Sequence, residues 1–232
     1  MLKVELHAHT VDDPKDDIPH STPELIDRAA QLGYQAVAIT LHDRQLDVRP
    51  FVSYASERGV TLIPGIERTI EGRHVLLLNF SAATESVHSF DDVARLKSRE
   101  RGIVVAPHPF YPIPPALRSK MERYAHLFDA VEYNAMFTSL VNFNRPAARW
   151  AQAHIKPLVG NGDIHRLRQL GTTYSLVDAE RDPDAICEAI RDFRVDVHAQ
   201  PLSMATAATI MGQLVAGELA NGRLRQALAD HS

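Results

Sequence analysis

Short runs of aliphatic and β-branched residues alternate with stretches of helical spacing along most of the chain. Residues 3–7 alternate with period two, Val4 and Leu6 apart from Lys3, Glu5 and His7, and predict a strand. Ser21-Thr22-Pro23-Glu24 predicts a helix start, with a capping residue before a proline; Leu25, Ile26, Ala29 and Leu32 mark its apolar side and Gly33 its end. Residues 36–40 read as a strand, 48–58 as a helix closed by Gly59, 61–66 as a strand, and 74–80 as a further strand after a turn at Glu71-Gly72. Helices are predicted over 90–101, 115–124, 146–153 and 183–192, and strands over 103–106, 130–133, 157–160, 172–177 and 195–199. Such alternation predicts an α/β fold, a parallel sheet covered by helices. Residues 203–228 carry a long helical pattern that includes Met204, Ile210, Met211, Leu214, Leu219, Leu224 and Leu228, and read as a packing helix or a contact for a homo-oligomer. With no repeat or linker, the expectation is one domain over 1–232, a barrel over about 1–200 with a helical segment over 203–230.

Composition narrows the classes. The chain has 232 residues, 25 Lys+Arg against 29 Asp+Glu, and is 45% hydrophobic and 23% charged, ordinary values for a globular protein. An acidic balance disfavours nucleic acid as the main partner. The single cysteine, Cys187, can form no intramolecular disulfide, the charged start lacks the apolar core of a signal peptide, and no stretch reads as a membrane span, so a cytoplasmic location is expected. Twelve histidines beside one cysteine then stand out.

Their positions carry the information. His7 and His9 lie at the end of the first predicted strand, His42 and Asp43 past the second, Glu67 past the third, and His108 after residues 103–106. Glu132 ends the next strand, and Asp163 and His165 follow Val159-Gly160. In a β/α barrel all such ends open onto one face, so these residues would converge; an open doubly wound sheet would hardly use so many strands at once. Imidazole and carboxylate ligands suit Zn, Mn or Fe.

In Glu5-Leu6-His7-Ala8-His9-Thr10, Ala38-Ile39-Thr40-Leu41-His42-Asp43, Pro64-Gly65-Ile66-Glu67, Ala106-Pro107-His108-Pro109 and Gly162-Asp163-Ile164-His165 the chain resembles the PHP family, the polymerase and histidinol phosphatase domain. The resemblance runs from the start to about Ile190. It implies a distorted TIM-like (β/α)7 barrel, here with an additional C-terminal helix, and two or three divalent metals. It further implies that His7, His9, Glu67 and Asp163 hold a first metal and that Glu67 bridges to a second, completed by His74 and His108. A third would take His42, His165 and one residue of the loop after His9, where Asp16 is favoured by spacing, Asp13 comes next, and Asp17 and His20 are also available. Leu41 stands where the family commonly has an aspartate that orients ligands. Glu132 and Asn134 are expected either to orient ligands or to be structural.

The implied activity is hydrolysis of a small phosphate ester by a metal-bridging hydroxide. Asp163 or His165 would relay a proton, and Arg44, Arg68 or Arg166 would grip the phosphate, although loop arginines more often face solvent. The alternatives are a nuclease or nucleotide phosphoesterase of the same family, a non-catalytic metal-stabilised PHP module, and an amidohydrolase barrel, which also opens on His-x-His but calls for a bridging lysine.

Overall fold

The computed structural model describes residues 1–220, so Leu224 and Leu228 of the expected C-terminal helix lie outside the described residues. Its strands are β1 (Leu2–Ala8), β2 (Ala36–Ile39), β3 (Thr61–Ile70), β4 (Arg73–Leu78), β5 (Ile103–Ala106), β6 (Ala130–Asn134), β7 (Leu158–Asn161), β8 (Thr173–Val177) and β9 (Val195–Ala199). All nine join one sheet in the order β7-β6-β5-β4-β3-β2-β1-β8-β9. The helices are α1 (Thr22–Gln31), α2 (Val52–Glu57), α3 (Phe90–Arg99), α4 (Lys120–Arg123), α5 (Asn144–Ala153), α6 (Pro183–Arg191) and α7 (Met204–Ala220). The fold is an α/β barrel, nearly closed, in which β1 to β7 form the wall.

The seam between β1 and β7 closes in two ways. At its upper end Ile164 N donates to the His7 carbonyl and His9 N to the Ile164 carbonyl, each at 3.0 Å. Lower down, β8 pairs antiparallel with Leu2–Val4, and Gly160 N donates to Ser175 Oγ at 2.9 Å. A Cβ at Gly160 would stand 2.7 Å from the Tyr174 carbonyl oxygen, so only glycine lets β7 press this close to β8. The β8-α6-β9 unit thus adds two strands to the expected seven, and Ile186, Cys187, Ala189 and Ile190 of α6 join the interior cluster with Leu2, Val4 and Val177.

Local chemistry explains several elements. Ser21 and Glu24 form a capping box at α1, Ser89 and Asp92 another at α3, and Asp182 caps α6 before Pro183. The sheet is not all parallel as expected: β4 runs antiparallel to both β3 and β5. The cause is the two-residue turn Glu71-Gly72, with φ of 48° and 72°, the twist that a tight hairpin demands. The helix expected over 48–58 is a 3-10 turn, Arg49–Phe51, followed by α2. The one expected over 115–124 shrinks to α4, because Pro112, Pro114 and Pro115 withhold N–H donors and the Pro115 carbonyl instead accepts from His74 N at 2.9 Å.

The inner face of the wall is apolar below and polar above. Ala36 and Ala38 lead to Thr40 and His42, Ile63 to Glu67, Ala130 to Glu132 and Asn134, and Val159 to Asn161 and Asp163, in steps of two along each strand. Antiparallel β4 carries Leu78 and Leu76 below and His74 near its start, so that His74 reaches the same upper rim. In β1 the register shifts between Glu5 and Ala8, a bulge. Val4 and Leu6 face the interior cluster whereas Ala8 packs outward against Leu25 and Ile26, and this change of phase turns His7 and His9 inward.

Candidate metal centre

Glu67 is the hub of the upper rim. Its Oε1 lies 2.8 Å from His74 Nδ1 and 3.0 Å from His108 Nε2; its Oε2 lies 3.0 Å from His42 Nε2, 3.3 Å from His7 Nε2 and 3.5 Å from His9 Nε2. Asp163 Oδ1 sits 3.4 Å from His7 Nε2, 3.6 Å from His9 Nε2 and 3.4 Å from His165 Nδ1. His165 Nε2 reaches Asp16 Oδ2 at 3.1 Å, and His42 Nδ1 is 3.7 Å from the same oxygen. The groups His7–His9–Glu67, His7–His108–Asp163, His9–Asp163–His165 and His42–Glu67–His74 each place three ligand atoms close enough to share one ion.

The donor set fits a metal. His7 Nε2, His9 Nε2 and His108 Nδ1 are buried without a hydrogen-bond partner, a costly state for a ring nitrogen unless a cation satisfies it. Burial opposes charge on every member, yet Asp163, Glu67 and Glu132 hold the His7 imidazolium well above its ordinary range, and Glu67 and Asp13 raise His42 to about 10. Glu67 and Asp163, which burial alone would push up, are drawn well below the carboxylate range by the surrounding histidines. On His7, His42, His108 and His165, whose charged form the nearby carboxylates favour, protons thus stand where dications would compete, whereas burial lowers His74. Six histidines and two central carboxylates without cysteine suit a nitrogen- and oxygen-liking transition ion.

A shell of hydrogen bonds aims the rings. Glu132, fully buried, accepts from His7 Nδ1 at 2.9 Å and Asn161 Nδ2 at 3.0 Å on one oxygen, and from His108 N at 2.7 Å and Asn134 Nδ2 at 3.1 Å on the other. Asn134 also donates to Asp163 Oδ2 at 3.2 Å. Glu132 therefore bears on the His7 ring, the arrangement that fixes tautomer and orientation in histidine metal sites, and Asn134 bears on the carboxylates of Glu132 and Asp163. Asp13 plays the same part across the centre: Oδ2 accepts from His9 Nδ1 at 2.9 Å and His42 Nδ1 at 3.0 Å, while Oδ1 accepts from the amides of Lys15 and Asp16. His9, Asp13 and His42 also place three ligand atoms close enough to share one ion, and Asp16 is the loop carboxylate that faces His165 and His42. Leu41, in the position where an aspartate was expected, packs in the outer apolar layer.

Sequence reasoning missed Asn161 and the use made of Glu5. Glu5 accepts from Gly162 N with both oxygens, at 3.0 and 2.9 Å, and from His7 N at 3.0 Å, fastening β1 to the end of β7; burial pushes its carboxyl up to about 8. Gly162 permits this approach, since a Cβ there would lie 3.0 Å from Glu5 Oε2. The flanking glycines of Gly160-Asn161-Gly162 were the available signal. His20, matched to no motif, is buried and hydrogen-bonded through Nε2 to the His9 carbonyl at 2.9 Å.

Above the centre opens a cavity of about 690 Å³ with Glu67, His42, His74, His108, Asp163 and His165 on its floor. Arg166 lies on its rim; Arg44 and Arg68 are not among the lining residues. Arg68 instead binds Asp43 at 2.7 Å, the Val87 carbonyl at 2.7 Å and His88 at 2.8 Å, and Arg44 reaches the Asp12 carbonyl. Among the described residues no helix is long and apolar enough to cross a membrane.

A family model described as PHP-associated matches residues 141–195. No curated protein sequence matches the chain. Among solved structures, PsfC from Pseudomonas syringae is 18% identical and superposes with a TM-score of 0.65 over 98% of both chains. An amidohydrolase from Chromobacterium violaceum is 16% identical over 70% of this chain and 87% of its own, with a TM-score of 0.57. A proposed metal-dependent phosphoesterase from Bifidobacterium adolescentis is 15% identical over 88% and 98%, with a TM-score of 0.60. At these identities the likeness is one of fold. The comparisons thus show a shared barrel fold and a PHP-associated segment over residues 141–195.

Proposed function

We propose that the chain is a metal-dependent hydrolase of phosphate esters of small molecules. The observation that carries this reading is the ring of six histidines around Glu67 and Asp163, with orphaned ring nitrogens, at the floor of a cavity. In this reading His7, His9, Glu67 and Asp163 hold one ion, Glu67, His74 and His108 a second, and His42, His165 and Asp16 a third where three bind. Bound dications would supply Lewis acidity toward phosphoryl oxygens and acidify water, and Zn, Mn and Fe all suit the ligands.

The chain's own groups do the rest. Glu67 turns one oxygen toward His74 and His108 and the other toward His7, His9 and His42, the disposition of a carboxylate shared by neighbouring ions. Asp163 and His165, with side chains 20% and 13% exposed, line the cavity and are assigned the proton transfer to the departing alcohol. His165 Nδ1, 3.0 Å from the Asp163 carbonyl oxygen, leaves the imidazole oriented for that transfer. Of the three arginines expected to grip the phosphate, Arg166 lines the cavity and is assigned that contact. A side-chain nucleophile has no support: Cys187 lies in the lower interior, and burial pushes its thiol up to about 12.

The amidohydrolase alternative lacks its lysine, since the third strand end carries Glu67. The decisive experiment is metal analysis followed by a panel of sugar phosphates, nucleotides, histidinol phosphate and short oligonucleotides. Hydrolysis of a small ester that disappears in Glu67→Gln supports the proposal. Turnover by metal-free protein refutes it, preference for oligonucleotides selects the nuclease reading, and full metal loading without hydrolysis selects the non-catalytic module.

A further inference from the structure

The walls of the cavity differ in kind from its floor. Above the histidine ring the lining is mostly apolar, with Ile113, Met136, Phe137 and Phe143 from the loops after β5 and β6 and Met204 and Met211 from α7. Its neutral polar members Tyr111, Asn134, Thr138 and Gln213 are each already hydrogen-bonded within the protein. Several of these side chains stay in contact with water, Met204 at 57%, Met211 at 49% and Phe143 at 37% exposure, with Leu140 and Val141 exposed beside them. An exposed apolar surface continuous with a cavity wall is a characteristic mark of a ligand site. The described lining also contains a single cation, Arg166, against the carboxylates of Asp16 and Asp17. That arginine already donates to the Asp17 carbonyl at 3.0 Å and the His165 carbonyl at 2.8 Å.

Resting on the phosphoester reading, we infer that the esterified alcohol of the substrate is apolar, an aromatic or branched aliphatic group seated against the loop residues and α7. The floor can satisfy one phosphoryl group. A sugar would leave its hydroxyls facing methyl and phenyl groups without partners, and a second phosphate would meet Asp16 and Asp17 with only Arg166 to offset them. An apolar alcohol instead removes Met204, Met211 and Phe143 from water together with its own surface. The volume of about 690 Å³ is that of a site for a ligand much larger than inorganic phosphate. Hydrolysis balances with water as the only co-reactant: the bond from phosphorus to the alcohol oxygen breaks, one from water oxygen forms, and the alcohol leaves with a proton.

The test compares 2-(2-naphthyl)ethyl phosphate, the ester of a naphthyl-bearing primary alcohol, with glycerol 3-phosphate, likewise a primary alkyl ester, on the metal-replete protein, and measures binding of 2-naphthol by fluorescence as a readout free of turnover. The inference expects kcat/KM to favour the naphthylethyl ester by about tenfold or more and expects saturable binding of naphthol. It expects the neutral double substitution Met204→Gln and Met211→Gln to weaken naphthol binding and shrink that preference by roughly an order of magnitude. Both methionines are exposed, so the change leaves the core intact. Turnover of both esters without preference, or in favour of the glycerol ester, overturns the inference and leaves the phosphoester reading standing. Absence of turnover of either ester removes that reading and the substrate class drawn from it, even where naphthol binds.

Discussion

The two halves of the barrel interior are built on the same strand faces and do opposite things. Below, Leu76, Leu78, Ile63, Val105 and Val159 pack with α6 into a dry plug with no exposed surface. Above, steps of two along those strands bring His74, Glu67, Asn161 and Asp163, whose charges and ring nitrogens gain nothing from burial unless paired or bound. The lower half supplies stability and the upper half draws on it to hold a strained, polar constellation in place. Asp43, His108 and Asp163 all carry positive φ, at 54°, 29° and 51°.

If this division is right, damage above should abolish function with little effect on folding, and damage below should do the reverse. The largest effect is expected at the hub. Glu67→Gln, or removal of metal by a chelator, should lower hydrolysis on the order of a thousandfold, read by metal content and initial rates, while far-ultraviolet circular dichroism is retained. Leu76→Ala in the plug should cost about 2–5 kcal/mol by denaturant unfolding, with normal metal stoichiometry in the fraction that remains folded. Glu132→Gln tests the shell between them. Competition against a chelator should show about 10–100-fold weaker metal affinity, and an unchanged affinity would make Glu132 purely structural. At the small end, Arg44→Ala should shift stability by less than about 0.5 kcal/mol and leave kcat/KM unaltered. Cys187 in the native protein should resist thiol reagents and react only on unfolding, because the thiol is both buried and held up to about 12.

Much of this was readable in the sequence, for identifiable reasons. Elements announced by local chemistry, such as the Ser21–Glu24 capping box and the Glu71-Gly72 turn, form where expected, and His9, His42, His108, Asp163 and His165 sit past strand ends that the barrel brings together, whereas Glu67 lies inside β3, which runs on to Ile70. What was not readable depends on tertiary geometry. Simple alternation puts His7 on the face of Lys3 and Glu5, but the β1 bulge, which the sequence does not mark, returns it to the interior with Leu6. His74 looked out of place at the start of its strand until β4 proved antiparallel. Asp13 and Asp16, alike in type and three residues apart, separate only when the loop folds and one of them finds two histidine Nδ1 atoms. Arg68 could have faced substrate or solvent on sequence grounds, and Asp43 captured it.

The seam of the barrel has a consequence in time. His7 and His9 are among the first residues of the described chain, while the groups that pin them, Glu132, Asn161 and Ile164, lie more than a hundred residues later, with the Leu6–Asn161 hydrogen bond spanning 155 positions. Contacts of such sequence separation form late, after the entropic cost of closing the loop has been met. Half-made molecules therefore possess the early histidines but no socket. On the proposed function, uptake of the ions would require β7 to have docked on β1, so that binding would report closure of the barrel seam.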